Sequence, residues 1–86
     1  MFVVELAFDG DPARLAARPA HRERLLQLRA EGILVMAGPF SDESGSLLIF
    51  DVPEPTDLAR VLDADPYYRT AGVRVVRQQG WLPLPL

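Results

Sequence analysis

The order of apolar patterns along this 86-residue chain predicts an α+β fold, β-α-β-β-α-β, with one antiparallel sheet covered on one face by two helices. Three observations carry that expectation. β-rich runs with two-residue alternation stand near both ends of the chain. Leucines at helical spacing separate the first of these runs from the second. Two further β-rich runs, 33–37 and 46–52, lie close enough in sequence to form an antiparallel hairpin.

Phe2 to Phe8 forms the first strand, with Phe2, Val4, Leu6 and Phe8 on one face and Val3, Glu5 and Ala7 on the other. Asp9-Gly10-Asp11-Pro12 breaks it with turn chemistry. Ala13 to Ala17 allows a short helical turn. Pro19 then suits the first turn of a longer helix, which runs to about Glu31 before Gly32 caps it in a left-handed conformation. Arg22, Glu23 and Arg29 fall on its solvent side. Ile33 to Ala37 is the second strand, Phe40 to Ser46 a loop, and Ser46 to Val52 the third strand. Thr56 is placed to cap a second helix over about Asp57 to Ala64, with Leu58, Val61 and Leu62 inward. Asp65-Pro66 stops that helix, because a residue before proline avoids the helical region. Tyr67 to Gly72 reads as a loop, Val73 to Gln79 as the fourth strand, and Trp81 to Leu86 as an extended apolar tail. This is the split βαβ arrangement of a ferredoxin-like domain, one unit over residues 1–86.

Two helices cover only one face of such a sheet, and the other keeps several apolar positions. Leaving Trp81, Leu82, Leu84 and Leu86 in water costs roughly 1.5–3 kcal/mol for each large apolar side chain. Both observations favour a homodimer in which two sheets stack through the open face. Trp81 is expected in the core or at that interface. A chain of this length hides only about 60–65% of its unfolded surface, which makes self-association a natural supplement.

Composition removes several function classes. There is no Cys, so disulfides, thiolate catalysis and cysteine metal sites are absent, and one His makes a structural metal site improbable. All nine basic residues are Arg, which excludes Schiff-base chemistry. Net charge is −3 with no basic block, so nucleic acid is not an expected partner. Apolar runs are too short to span a membrane, and the first residues lack a secretory signal, which points to the cytoplasm.

His21 is the one side chain whose ordinary pKa suits proton transfer near neutrality. It precedes Leu25 and Leu28 by four and seven residues, on the helix face that must cover the sheet. Arg18, three residues earlier, brings a cation that would lower the imidazole pKa and favour the neutral base. Asp65 continues the inward face of the second helix, where the negative end of the helix dipole demands a cation or donor. His21 or Arg18 is its plausible partner, and a His held by Asp through one nitrogen is a minimal general-base dyad. A plain Asp-Pro turn is the alternative. In the loop, Gly38 allows close backbone approach to a ligand, and Asp42 and Ser44 offer hydrogen bonds to substrate or, from Asp42, to His21. Turn formation alone also accounts for them. Tyr67 offers a stacking surface for an aromatic ligand.

Arg18-x-x-His21 before a Leu-rich helix, then Glu31-Gly32, Ala37-Gly38-Pro39-Phe40 with Asp42 and Gly45, Asp65-Pro66-Tyr67, Gly72 and a closing strand with Trp81, resembles the YCII-related (YciI-like) family. The match spans almost the whole chain in order, with a short segment before Arg18 as its departure. The resemblance implies a dimeric α+β barrel and a site built on a histidine, here His21, and an aspartate, here Asp65 or secondarily Asp42. It also implies relatives that are dehydrochlorinases of hydroxylated chloroaromatics, and similar barrels among muconolactone isomerases.

The expected function is a small enzyme without cofactor, using His21 and Asp65 for isomerisation or elimination on a small cyclic or aromatic compound. Arg18 or backbone N–H groups near Gly38 would stabilise the developing oxyanion. The alternatives are a binding or regulatory module using the same pocket without turnover, and a purely structural His–Asp pair.

Overall fold

In the computed structural model, which describes all 86 residues, the element order is β1 (Phe2–Phe8), α1 (Ala13–Ala30), β2 (Leu34–Pro39), β3 (Gly45–Phe50), α2 (Pro55–Asp63), a 3-10 turn (Pro66–Arg69) and β4 (Val73–Gly80). The strands form one antiparallel sheet in the order β2-β3-β1-β4. This is the ferredoxin-like α+β arrangement, in which β1 and β3 take the two central positions. Alternation in β1 puts Val4 and Leu6 in the core, where they meet Leu48 and Phe50 from β3 and Leu28, Leu58 and Leu62 from the helices.

β1 occupies the residues its alternation predicts, but α1 does not begin at Pro19. It starts at Ala13 and runs through Pro19 as one 18-residue helix. Local chemistry at 9–12 explains the earlier start. The Asp11 carboxylate accepts the Ala13 N–H at 2.9 Å, and the Pro12 carbonyl accepts from Leu15 and Ala16, so the first turn closes six residues before the proline. The missing Pro19 N–H removes one bond that the flanking turns outweigh. At the far end Gly32, at φ 77°, lets Ile33 N–H reach the Leu28 carbonyl at 2.9 Å, the bond pattern of a left-handed cap.

α2 begins at Pro55 rather than after Thr56, because the Asp57 carboxylate accepts the Glu54 N–H at 3.1 Å and fixes the cap two residues earlier. The segment read as a loop after Pro66 forms a 3-10 turn. β2 and β3 pair as the predicted hairpin, with one extra residue, Val35, between the Leu34–Phe50 and Met36–Ile49 pairs. That bulge brings Ala37 opposite Leu48 and Pro39 opposite Ser46, on the helix side of the sheet. Gly45 is required where it stands, since a Cβ there would collide with the Leu6 carbonyl oxygen.

Trp81 is 42% exposed and lies outside the core, with its backbone N–H donated to the Met1 carbonyl at 2.8 Å. Leu82, Leu84 and Leu86 follow it into solvent. No helix is long and apolar enough to cross a membrane.

Candidate active site

His21 sits mid-way along α1 on the stripe that includes Leu28, and both are buried. Asp65 stands after α2, at the N-terminus of the 3-10 turn. The two meet with Nδ1 of His21 2.7 Å from Oδ2 of Asp65, at 7% and 6% exposure. The other carboxylate oxygen, Oδ1, accepts the Tyr67 N–H at 3.0 Å. Asp65 therefore does two jobs at once: it caps the turn required by Asp-Pro, and it anchors the imidazole. Because the carboxylate only accepts, Nδ1 carries the proton and donates, leaving Nε2 with a free lone pair in the neutral ring.

Burial is the main influence on the imidazole and lowers its pKa below the ordinary value of about 6.5. The hydrogen bond and charge of Asp65 oppose that shift without cancelling it, and the Arg22 charge adds a further lowering. The cation that acts on His21 is thus Arg22, on the next residue, rather than Arg18. Tyr67 stacks on the ring with centroids 3.8 Å apart and planes 8° from parallel. Tyr68 closes the pair edge-on at 5.4 Å. Burial pushes the Tyr68 phenol up, and its buried hydroxyl has no hydrogen-bond partner, so Tyr68 walls the dyad from solvent as a neutral group.

His21 and Tyr67 line an open cleft of about 740 Å³ between α1 and the β2–β3 hairpin, a size suited to a small organic ligand. Asp65 does not line it, so the imidazole is the member of the pair that borders the cleft. Arg18 and Gly38 lie on the cleft wall, whereas Asp42 and Ser44 do not. Asp42 is spent on its own turn, accepting the Ser44 N–H at 3.0 Å. Hydrogen bonding to Ser44 holds its carboxyl below the usual range. The carboxylate beside His21 is Asp65, not Asp42. Glu43, at a left-handed φ of 61°, brings the same loop to the cleft rim.

Sequence reasoning missed Arg14, Arg22, Leu25, Leu26 and Met36 on the cleft wall. The four-residue spacing of Arg14, Arg18 and Arg22 is the available signal, and a helix beginning at Pro19 does not contain it. No three His, Asp or Glu side chains gather in a way that could hold a metal ion.

The chain matches the model of the YCII-related domain over residues 1–81. It belongs to the YCII-related family. Among solved structures it resembles 5-chloro-2-hydroxyhydroquinone dehydrochlorinase (TftG) from Burkholderia phenoliruptrix, determined in complex with 2,5-dihydroxybenzoquinone. The TM-score is 0.56 and identity 18%, covering 90% of this chain and 92% of that one. At that identity the likeness establishes the fold. A search of the curated proteins found no significant match.

Proposed function

We propose that this YCII-related protein is a small acid–base enzyme that works without a cofactor and acts on a small cyclic or aromatic metabolite by isomerisation or elimination, dehydrochlorination included. The carrying observation is the 2.7 Å bond between His21 Nδ1 and Asp65, which leaves Nε2 as the free base on a residue lining the cleft. His21 and Asp65 are the catalytic pair of the notional reaction: Nε2 takes a proton from a substrate carbon and the C–H electrons move into an enolate or phenolate. Asp65 stabilises the imidazolium that forms and holds the ring in register. In dehydrochlorination of a chlorinated hydroquinone the protons come instead from ring hydroxyls. One moves to the chlorine-bearing carbon as the neighbouring C–O becomes a carbonyl. Nε2 takes another, whose O–H electrons form a second carbonyl and push through the ring double bond to expel chloride, leaving a hydroxyquinone. In isomerisation the proton returns from Nε2 to another carbon. Arg18 and backbone N–H groups near Gly38 face the developing oxyanion, and Tyr67 keeps the imidazole in plane. The dehydrochlorinase likeness supports chemistry on a hydroxylated ring.

The working unit of this reading is a cytoplasmic homodimer. Val3, Leu47 and Ile49 on the helix-free face are only half-buried by the chain itself, and stacking two such faces would cover them. A binding or regulatory module would use the same cleft without turnover, and substitution separates the two. With 5-chloro-2-hydroxyhydroquinone as probe, wild-type protein is expected to release chloride, and His21→Ala to lose at least about 100-fold in rate at a temperature where its melting curve shows it folded. Its melting point is lowered because the buried Asp65 carboxylate loses its partner. Unchanged chloride release in His21→Ala overturns the mechanism.

A further inference from the structure

The protein carries twelve acidic and nine basic residues, yet four of those nine arginines, Arg14, Arg18, Arg22 and Arg29, line one cleft with Glu43 as its lone carboxylate. None of the four is neutralised. The ion pairs of the fold are His21–Asp65, Arg60–Asp57 and Arg77–Glu5. Two of the four are occupied in other ways. Arg29 donates to the Val35 carbonyl at 2.6 Å, tying α1 to β2, and Arg14 lies 4.1 Å over the Phe8 ring with its Nε buried and unpartnered. Arg18 and Arg22 remain, one turn apart and flanking His21 in sequence, with no hydrogen bond from either guanidinium to the rest of the chain.

Uncompensated cations in a concave site with low-dielectric walls focus a positive potential and concentrate anions. Much of the remaining wall is apolar: Leu15, Leu25 and Leu26 line the same space as Tyr67. A freely hydrated inorganic ion gains nothing from that wall, whereas a ring with an anionic substituent uses both parts. We propose that the ligand of this cleft is a small cyclic or aromatic anion, its carboxylate or phenolate oxygens held by Arg18 and Arg22 and its ring set on the leucine wall beside His21. The proposal rests on the site described above and adds to it the charge of the ligand. Planar guanidinium groups suit such oxygens through paired N–H donors. The same field favours the enolate that proton removal creates, so ground-state recognition and oxyanion stabilisation draw on one set of charges.

The test is an NMR titration of the full-length protein with salicylate, with neutral salicylamide of the same ring and hydroxyl, and with inorganic phosphate. Salicylate is expected to shift the His21 ring and the Arg18 and Arg22 Nε–H signals saturably, with a Kd at least about tenfold below those of salicylamide and phosphate. The Arg18→Gln/Arg22→Gln variant, checked for folding by its melting curve, should weaken salicylate by about tenfold or more, and Arg60→Gln, outside the cleft, should not. Equal affinity for salicylate and salicylamide, phosphate binding as tight as salicylate, or an unchanged Kd in the double variant each overturns the proposal. His21→Ala keeps the two readings separate. If it retains the preference for salicylate but loses turnover, both stand. If it retains turnover, the base mechanism falls while the anion site survives. If wild type turns over but shows no preference for the anion, the reverse holds.

Discussion

At the residue scale the chemistry turns on how one carboxylate is divided. Asp65 gives one oxygen to the Tyr67 N–H and the other to His21. An Asp65→Asn change keeps an acceptor for the turn but removes the charge that stabilises an imidazolium, and its amide N–H₂ competes with Nδ1–H. The expected result is a loss of about 100-fold or more in kcat with the fold retained, checked by steady-state kinetics beside a melting curve. The pH dependence follows from the lowered His21 pKa. The folded protein binds that proton more weakly than the unfolded chain, so the contribution of this group to stability is complete above about pH 6.5 and is lost as pH falls through the folded value. The reaction proposed above needs the neutral ring, and its rate should fall on the same acid side, with a kcat/KM midpoint below about 6.5. The candidate pair was legible in sequence because it joins a lone His on an inward helix stripe to an Asp at an inward helix end. What sequence did not reveal was the relative weight of burial and charge: Arg18 looked like the cation lowering the pKa, yet desolvation leads and Arg22 is the cation that contributes.

At the scale of elements, patterning and capping located the strands and helices, and the misplacements have local causes. The proline rule that favours the first helical turn pointed to Pro19, but Asp11 had already capped the helix at Ala13. The extra turn and a half matters for the site, since it carries Arg14 and Leu15 onto the cleft wall. Likewise the hairpin was readable from spacing, while the Val35 bulge that turns Ala37 and Pro39 toward the helices was not. A bulge depends on cross-strand packing, which a single strand's alternation does not encode. Gly45 pairs with Ala7 of β1, with the Leu6 backbone lying where its Cβ would be. Gly45→Ala forces its methyl against the Leu6 carbonyl oxygen, which backbone cannot yield cheaply. A destabilisation of about 2–4 kcal/mol is expected in chemical denaturation. A melt indistinguishable from wild type would show that the strands can separate there.

For the whole molecule, the sheet buries one face under two helices and leaves Val3, Leu47 and Ile49 on the other, with Met36 and Val76 exposed toward its two edges. The homodimer proposed above places this face at the interface. Ile49→Glu puts a charge on that face without touching the His21 side of the sheet, and should convert a dimer of the wild-type chain to monomer in sedimentation equilibrium. A wild-type monomer, or an unchanged mass for the variant, would contradict the sheet-stacked assembly. The open face and the apolar tail were both visible in sequence, because neither finds enough cover in a chain of this length. The central claim nevertheless rests on one ring: a neutral His21 whose Nδ1–H is held by Asp65 and whose Nε2 is the free base. Long-range ¹H–¹⁵N NMR of the imidazole across pH tests it most directly. The account predicts a protonated Nδ1 and an unprotonated Nε2 at neutral pH, with a titration midpoint below about 6.5. A proton on Nε2 instead, or a midpoint above that value, would contradict it.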